Sequence, residues 1–155
     1  MENKPKFNSK DFNFQTQDYS LEEKRELISD LRKIVRTFEN SLEPKHILFI
    51  GNTGFTRSAA AENLFQNSDD YEARSAGLFP IHSDKKINTE KIRFAGKIIV
   101  MNEKQEKQKT QLLELFPEAE KKEILTLEIE DKYTRYDDEL IEVLKKKLAE
   151  KGIDI

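Results

Sequence analysis

The sequence predicts an α/β domain, a parallel sheet of four strands with helices on both sides, preceded by an arm and one long helix. Three observations carry this. From His46 onward, short apolar runs alternate with segments patterned as helices, as expected of a parallel sheet with right-handed crossovers. The runs Ile47-Leu48-Phe49-Ile50 and Ile98-Ile99-Val100-Met101 are almost continuously apolar, as strands buried on both faces must be. The length of 155 residues is that of one domain with a single core.

Residues 1 to about 19 are polar, with Phe7, Phe12, Phe14 and Tyr19 set among Lys, Asn, Asp and Gln. No period emerges, so this stretch reads as an arm or strap with its aromatics docked. Ser20 and Glu23 then form a capping box. Leu27, Ile28, Leu31, Ile34, Val35, Phe38 and Leu42 recur at helical spacing as one apolar stripe. Such a stripe packs on its own domain, forms a dimer seam or docks on a partner helix. Pro44 ends the helix.

Strands are expected at His46–Ile50, Tyr71–Ser75, Lys97–Met101 and Glu123–Ile129. Helices are expected from Arg57 to about Gln66, Ile87 to Ala95, Glu103 to Leu115, and Asp137 to Glu150. Leu112, Leu113, Leu115 and Phe116 are read as inward. So are Leu140, Ile141, Val143, Leu144 and Leu148. The polar run Glu103–Lys109 reads as a solvated helix face. His82, after Pro80, reads as a surface-loop histidine.

Charged residues make up 37% of the chain, but Lys+Arg 27 against Asp+Glu 30 leave a net charge of −3. That balance argues against nucleic acid or an anionic membrane as the main partner. No apolar run would span a bilayer, and Met1 is followed by polar residues, so a cytoplasmic protein is expected. Cysteine is absent, which excludes disulfides, thiolate metal sites and a catalytic thiol. With His46 and His82 the only histidines, neither metal nor cofactor is expected.

The stretch that stands out follows the first strand: Gly51-Asn52-Thr53-Gly54-Phe55-Thr56-Arg57-Ser58. A strand, a small-residue loop and a helix start bring free backbone amides and the positive end of the helix dipole together, which makes an anion site. Arg57 adds a planar fork suited to phosphate oxygens. The plain alternative is an ordinary strand-to-helix turn with a solvated Arg. As a nucleotide loop the stretch is poor, because Thr56 and Arg57 stand where G-x-x-x-x-G-K-[ST] needs Gly and Lys.

From about residue 45 to the end, about 110 residues, the chain resembles the low-molecular-weight protein tyrosine phosphatase family, especially small bacterial members. Their C-x-x-x-x-x-R-S loop lies directly between a strand and a helix. Here Phe49-Ile50 precede it, Arg57-Ser58 end it, and Ala61-Glu62 follow. Arg74-Ser75-Ala76-Gly77-Leu78 resembles the S-A-G segment after the second strand, and Ile98-Ile99-Val100-Met101 matches the third. Asp131-Lys132-Tyr133 resembles the D-P-Y segment that carries the general acid, with Asp137-Asp138-Glu139 opening the last helix. The resemblance implies a three-layer α/β/α sandwich over 45–155, with residues 1–44 as an added arm and amphipathic helix.

The position of the family's nucleophilic Cys is Gly51, which has no side chain to attack phosphorus. Thr53, Thr56 and Ser58 supply hydroxyls, but a hydroxyl without a neighbouring base is a poor nucleophile. The expectation is a pseudophosphatase. Gly51, Asn52, Thr53, Gly54, Phe55, Thr56, Arg57 and Ser58 would hold phosphate or a phosphorylated protein or small molecule. Arg57 and Asp131 would be residual or relic catalytic residues. Tyr133, with Tyr136, would wall the pocket or cover the core edge, and Phe55 would narrow the mouth. Two alternatives remain: a working phosphatase using water, Ser58 or Thr56 with Asp131 as acid, and an interaction protein working through helix 20–42, as a homodimer or with a partner helix.

Overall fold

A computed structural model describes residues 19–155; the arm residues Phe7, Phe12 and Phe14 lie outside the described residues. The chain divides between Glu43 and Pro44 into two compact units. The described part of the first is α1 (Leu21–Leu42), capped by the Ser20 side chain, which accepts from the Glu23 amide. None of its residues is buried.

The second unit, Pro44–Ile155, holds the sheet. Its elements are β1 (Lys45–Gly51), α2 (Arg57–Leu64), β2 (Tyr71–Gly77), α3 (Thr89–Phe94), β3 (Lys97–Val100), α4 (Gln108–Leu115), β4 (Glu123–Thr126) and α5 (Asp138–Glu150). All strands are parallel, in the order β2-β1-β3-β4. Alternation along β1 sends Ile47 and Phe49 to one face and Leu48 and Ile50 to the other, so two cores form. One joins Phe49, Ile99 and Met101 to Ala60, Ala61 and Phe65 after β1, and to Leu140, Leu144 and Leu148 of α5. The other joins Leu48, Ile98 and Val100 to Ile92 of α3 and Leu112 of α4. Each buried Leu, Ile or Phe contributes about 1.5–3 kcal/mol, which is what fixes the register.

The chain leaves β1 for β2 on one side and later returns to β3 on the other. The carboxyl end of β1 is therefore the topological switch point where ligands of such sheets bind. Loop 51–58 stands there, pressed against β2. Gly54 has φ +73, and a Cβ on it would lie 2.6 Å from the Gly77 amide nitrogen; a Cβ on Gly77 would run into the Thr53 carbonyl group. These two glycines let the loop backbone touch the sheet edge. Gly51 is ordinary extended strand and uses no positive φ. Gly77→Ala is expected to lower stability by about 1–3 kcal/mol, since the contact is backbone on backbone. Urea unfolding would check it, and an unchanged midpoint would show that the loop yields freely.

Several element limits differ from the sequence reading. The helix expected from Glu103 starts only at Gln108, because Lys107 is left-handed at φ 53 and residues 103–107 form a turn. Leu115 is 53% exposed rather than inward, while Leu112 is fully buried. β4 stops at Thr126, since Glu128 turns to φ 55. The Leu127 and Ile129 amides still bond to Val100 and Met101 carbonyls, so both side chains stay in the core. The helix expected from Ile87 is shorter, with Asn88 capping Thr89–Phe94. No described helix is long and apolar enough to cross a membrane.

Candidate functional site

The residues Gly51, Asn52, Thr53, Gly54, Thr56, Arg57, Ser58 and Asp131 line a cavity of about 90 Å³, room for about three waters and hence for one tetrahedral oxyanion. The amides of Thr53, Gly54 and Thr56 make no hydrogen bond among the described residues, and α2 starts at Arg57, so its first-turn amides are unsatisfied as well. The exception in the loop is the Phe55 amide, which donates to Thr53 Oγ1 at 3.2 Å.

Arg57 is only 4% exposed. Its Nη1 donates to Glu106 Oε2 at 2.6 Å and to the Ile129 carbonyl at 2.7 Å, while Nη2 donates to Glu106 Oε1 at 2.7 Å. Glu106 thus grips the guanidinium end-on. Of five N–H donors three are used, which leaves Nε–H and one Nη2–H, side by side on one edge. Nε has Asp131 Oδ1 at 3.7 Å across from it, beyond hydrogen-bond distance. Arg57 and Asp131, the latter 61% exposed, both belong to the cavity wall. Two parallel donors on one edge suit two oxygens of a tetrahedral anion.

Behind Glu106 lies a closed polar network. Asn52 Nδ2 donates to Glu106 Oε1 at 2.8 Å, and Gln108 Nε2 donates to Asn52 Oδ1 at 3.3 Å. Gln108 Oε1 accepts the Met101 and Asn102 amides, and Asn102 Oδ1 accepts those of Gln105 and Glu106. The turn is tied down again by Glu128, whose carboxylate accepts the Glu103 and Lys104 amides. Burial works against the charged form of Glu128, but these amide bonds outweigh it and hold its carboxyl below the usual carboxylate range. Glu106 and Gln108, which the sequence pattern places on a solvated face, are thus site residues, and so is Asn102, which the pattern does not single out.

Ser58 is buried, and its Oγ has no hydrogen-bond partner among the described residues. It lies 3.2 Å from where a Cβ on Gly51 would stand. A buried hydroxyl without a partner costs about 1–3 kcal/mol, a cost that an anion in the cavity would remove. No base touches it, which weighs against Ser58 as a nucleophile.

Two expected residues lie elsewhere. Tyr133 is packed against the core that holds Phe49 and Leu140 instead of lining the cavity; its ring gains more from apolar burial there. Phe55 turns its half-exposed ring outward, 6.0 Å from His82 and 5.4 Å from the Arg135 guanidinium. It leaves the mouth open, and Tyr136 is exposed beside Arg135.

No family model matches the chain, and no curated protein is significantly similar to it. Solved structures do match. The arginine phosphatase YwlE from Geobacillus stearothermophilus is 24% identical with a TM-score of 0.51, covering 70% of this chain and 93% of that one. The tyrosine phosphatase amsI from Erwinia amylovora is 17% identical with a TM-score of 0.54, covering 68% and 89%. A YwlE mutant from Bacillus subtilis is 19% identical at 0.50, covering 70% and 98%. The fold is that of the low-molecular-weight phosphatases. At these identities the likeness establishes the fold alone.

Proposed function

We propose that this phosphatase-like protein lacks the nucleophile of its structural relatives and binds phosphate or a phosphorylated group in the cavity of loop 51–58. The observation that carries the reading is Arg57: buried, fixed end-on by Glu106, and left with a free two-donor edge on a cavity of oxyanion size. The unsatisfied amides of the loop and the N-terminus of α2 add to the same field. Gly51 stands where a phosphatase of this fold places its cysteine. An anion in this cavity then meets no thiolate to repel it, and none to attack it.

Thermal unfolding of the full chain with orthophosphate, vanadate or phenyl phosphate tests this. A saturable rise in melting temperature is expected, worth about 2.7 kcal/mol when the anion is at a hundred times its dissociation constant. Arg57→Lys keeps a charge for Glu106 but loses the second edge, so this variant is expected to fold and lose the response. If none of the three anions shifts unfolding, the reading fails. Aryl phosphate hydrolysis that disappears in Arg57→Lys would instead favour a working enzyme with Asp131 as acid.

Ser58→Ala gives a second, opposite-signed signal. Removing an unpartnered buried hydroxyl is expected to leave stability unchanged or raise it by about 1 kcal/mol. The same change is expected to reduce the stabilisation that phosphate provides. Urea unfolding with and without phosphate separates the two effects.

A further inference from the structure

Helix α1, in the first unit, carries a pattern of its own. Leu21, Ile28, Val35 and Leu42 recur every seven residues, with Leu31 and Phe38 three beyond Ile28 and Val35. This is an a/d heptad register, with Leu27 and Ile34 beside it at g and β-branched residues at two a positions. All eight side chains are exposed, from 38% at Leu27 to 79% at Leu42. A continuous apolar stripe of that extent on a 22-residue helix marks an interaction surface. We propose that α1 pairs with α1 of a second copy of this chain, antiparallel, as a two-stranded coil centred near Lys33.

The charges choose the partner and the direction. In a parallel pair like positions meet, so Lys24 at d would face Lys24 of the second copy inside the seam. Leu27 and Ile34 at g would face Arg32 and Glu39 at e, and no opposite charges would meet. In an antiparallel pair a meets d: Ile28 packs on Phe38 and Leu31 on Val35, each twice. Lys24 then faces Leu42 only at the two ends, where its stem covers apolar surface and its ammonium reaches water. The same register sets Arg25 beside Glu39 of the second copy, twice by symmetry, and buries Ile34 against its own copy. Arg32 meets Arg32 at the dyad, a like-charge contact at a solvated flank that costs little. The helix thus complements itself in one direction and not in the other.

Sedimentation equilibrium of the full chain tests this, independently of anion binding. A concentration-dependent dimer is expected, with circular dichroism and melting of the sheet domain as controls. Leu31→Glu with Val35→Glu is expected to weaken association at least a hundredfold, leaving the domain folded. Arg25→Glu sets Glu against Glu39 twice and is expected to weaken it about tenfold. Adding Glu39→Arg restores opposite charges only in the antiparallel register, so the double variant is expected to recover wild-type association. A chain that stays monomeric throughout, or a double variant no tighter than Arg25→Glu alone, overturns the proposal.

Discussion

Gly51→Cys is expected to give a protein that hydrolyses aryl phosphates at least about a thousandfold faster than the parent, set against the roughly million-fold that losing a nucleophile costs in such units. The space is there. Gly51 has an ordinary extended backbone, and the atoms nearest its added Cβ are Ser58 Oγ at 3.2 Å, Ser58 Cβ at 3.6 Å and Met101 Cγ at 3.8 Å. Only the Ser58 hydroxyl is tight, and with no partner to hold it it can turn aside. It then becomes a donor to the new sulfur. Sulfur at the N-terminus of α2 and beside Arg57 has its thiolate favoured by the helix dipole and the guanidinium charge. Thiolate attack on phosphorus forms a phosphocysteine while Asp131 gives its proton to the leaving phenolate, and water then releases phosphate. Steady-state hydrolysis of p-nitrophenyl phosphate, with Asp131→Ala in the same background as a control, measures the gain. Phosphate affinity is expected to fall in the variant, because the thiolate restores the repulsion that glycine lacks. A folded variant that binds phosphate but stays inert would show that Asp131 cannot reach the leaving group.

What could be read from the chain, and what could not, follows from which forces write themselves locally. The strands were legible because a sheet covered on both faces demands runs such as Ile98-Ile99-Val100, and Gly51–Ser58 because glycine, a single Arg and a helix start carry their own chemistry. Gly77 was legible only through resemblance; its reason, backbone contact with Thr53, is tertiary. Glu106 and Gln108 were lost because a run of Glu, Lys and Gln has the same pattern whether it faces water or a buried guanidinium. The left-handed Lys107, which breaks the expected helix and turns Glu106 toward Arg57, leaves no mark that periodicity detects. One signal was available: Asn102 directly follows the apolar run of β3, next to β1, at the end of the sheet where ligands sit. Tyr133 is the converse case: an aromatic near a mouth and one over a core edge look alike in sequence, and of the two readings left open the structure takes the core edge.

Glu106→Ala is expected to cost about 3–5 kcal/mol, as when one partner of a buried ion pair is removed. Arg57 is 4% exposed and Glu106 is 16% exposed, at 2.6 Å, so water cannot replace the lost carboxylate at little cost. Asp131 is too exposed and, at 3.7 Å from Nε, too distant to take over. Asn52 Nδ2, 2.8 Å from Glu106 Oε1, loses its acceptor, while Gln108 Nε2, 3.5 Å from the same oxygen, is left with Asn52 Oδ1 at 3.3 Å. Glu106→Gln keeps one acceptor and the shape, and is expected to lose less. Urea unfolding gives the difference, read from the midpoint at constant slope. The proposed anion site makes the test sharper. In the parent, Glu106 already neutralises Arg57, and a bound phosphate is a second negative charge on the same guanidinium. In Glu106→Ala the phosphate becomes its main counter-charge. Phosphate is therefore expected to return more stability to Glu106→Ala than it adds to the parent. A smaller return in the variant would mean that aiming the guanidinium outweighs the charge, and that Glu106 serves anion binding chiefly by holding the Nε edge in place.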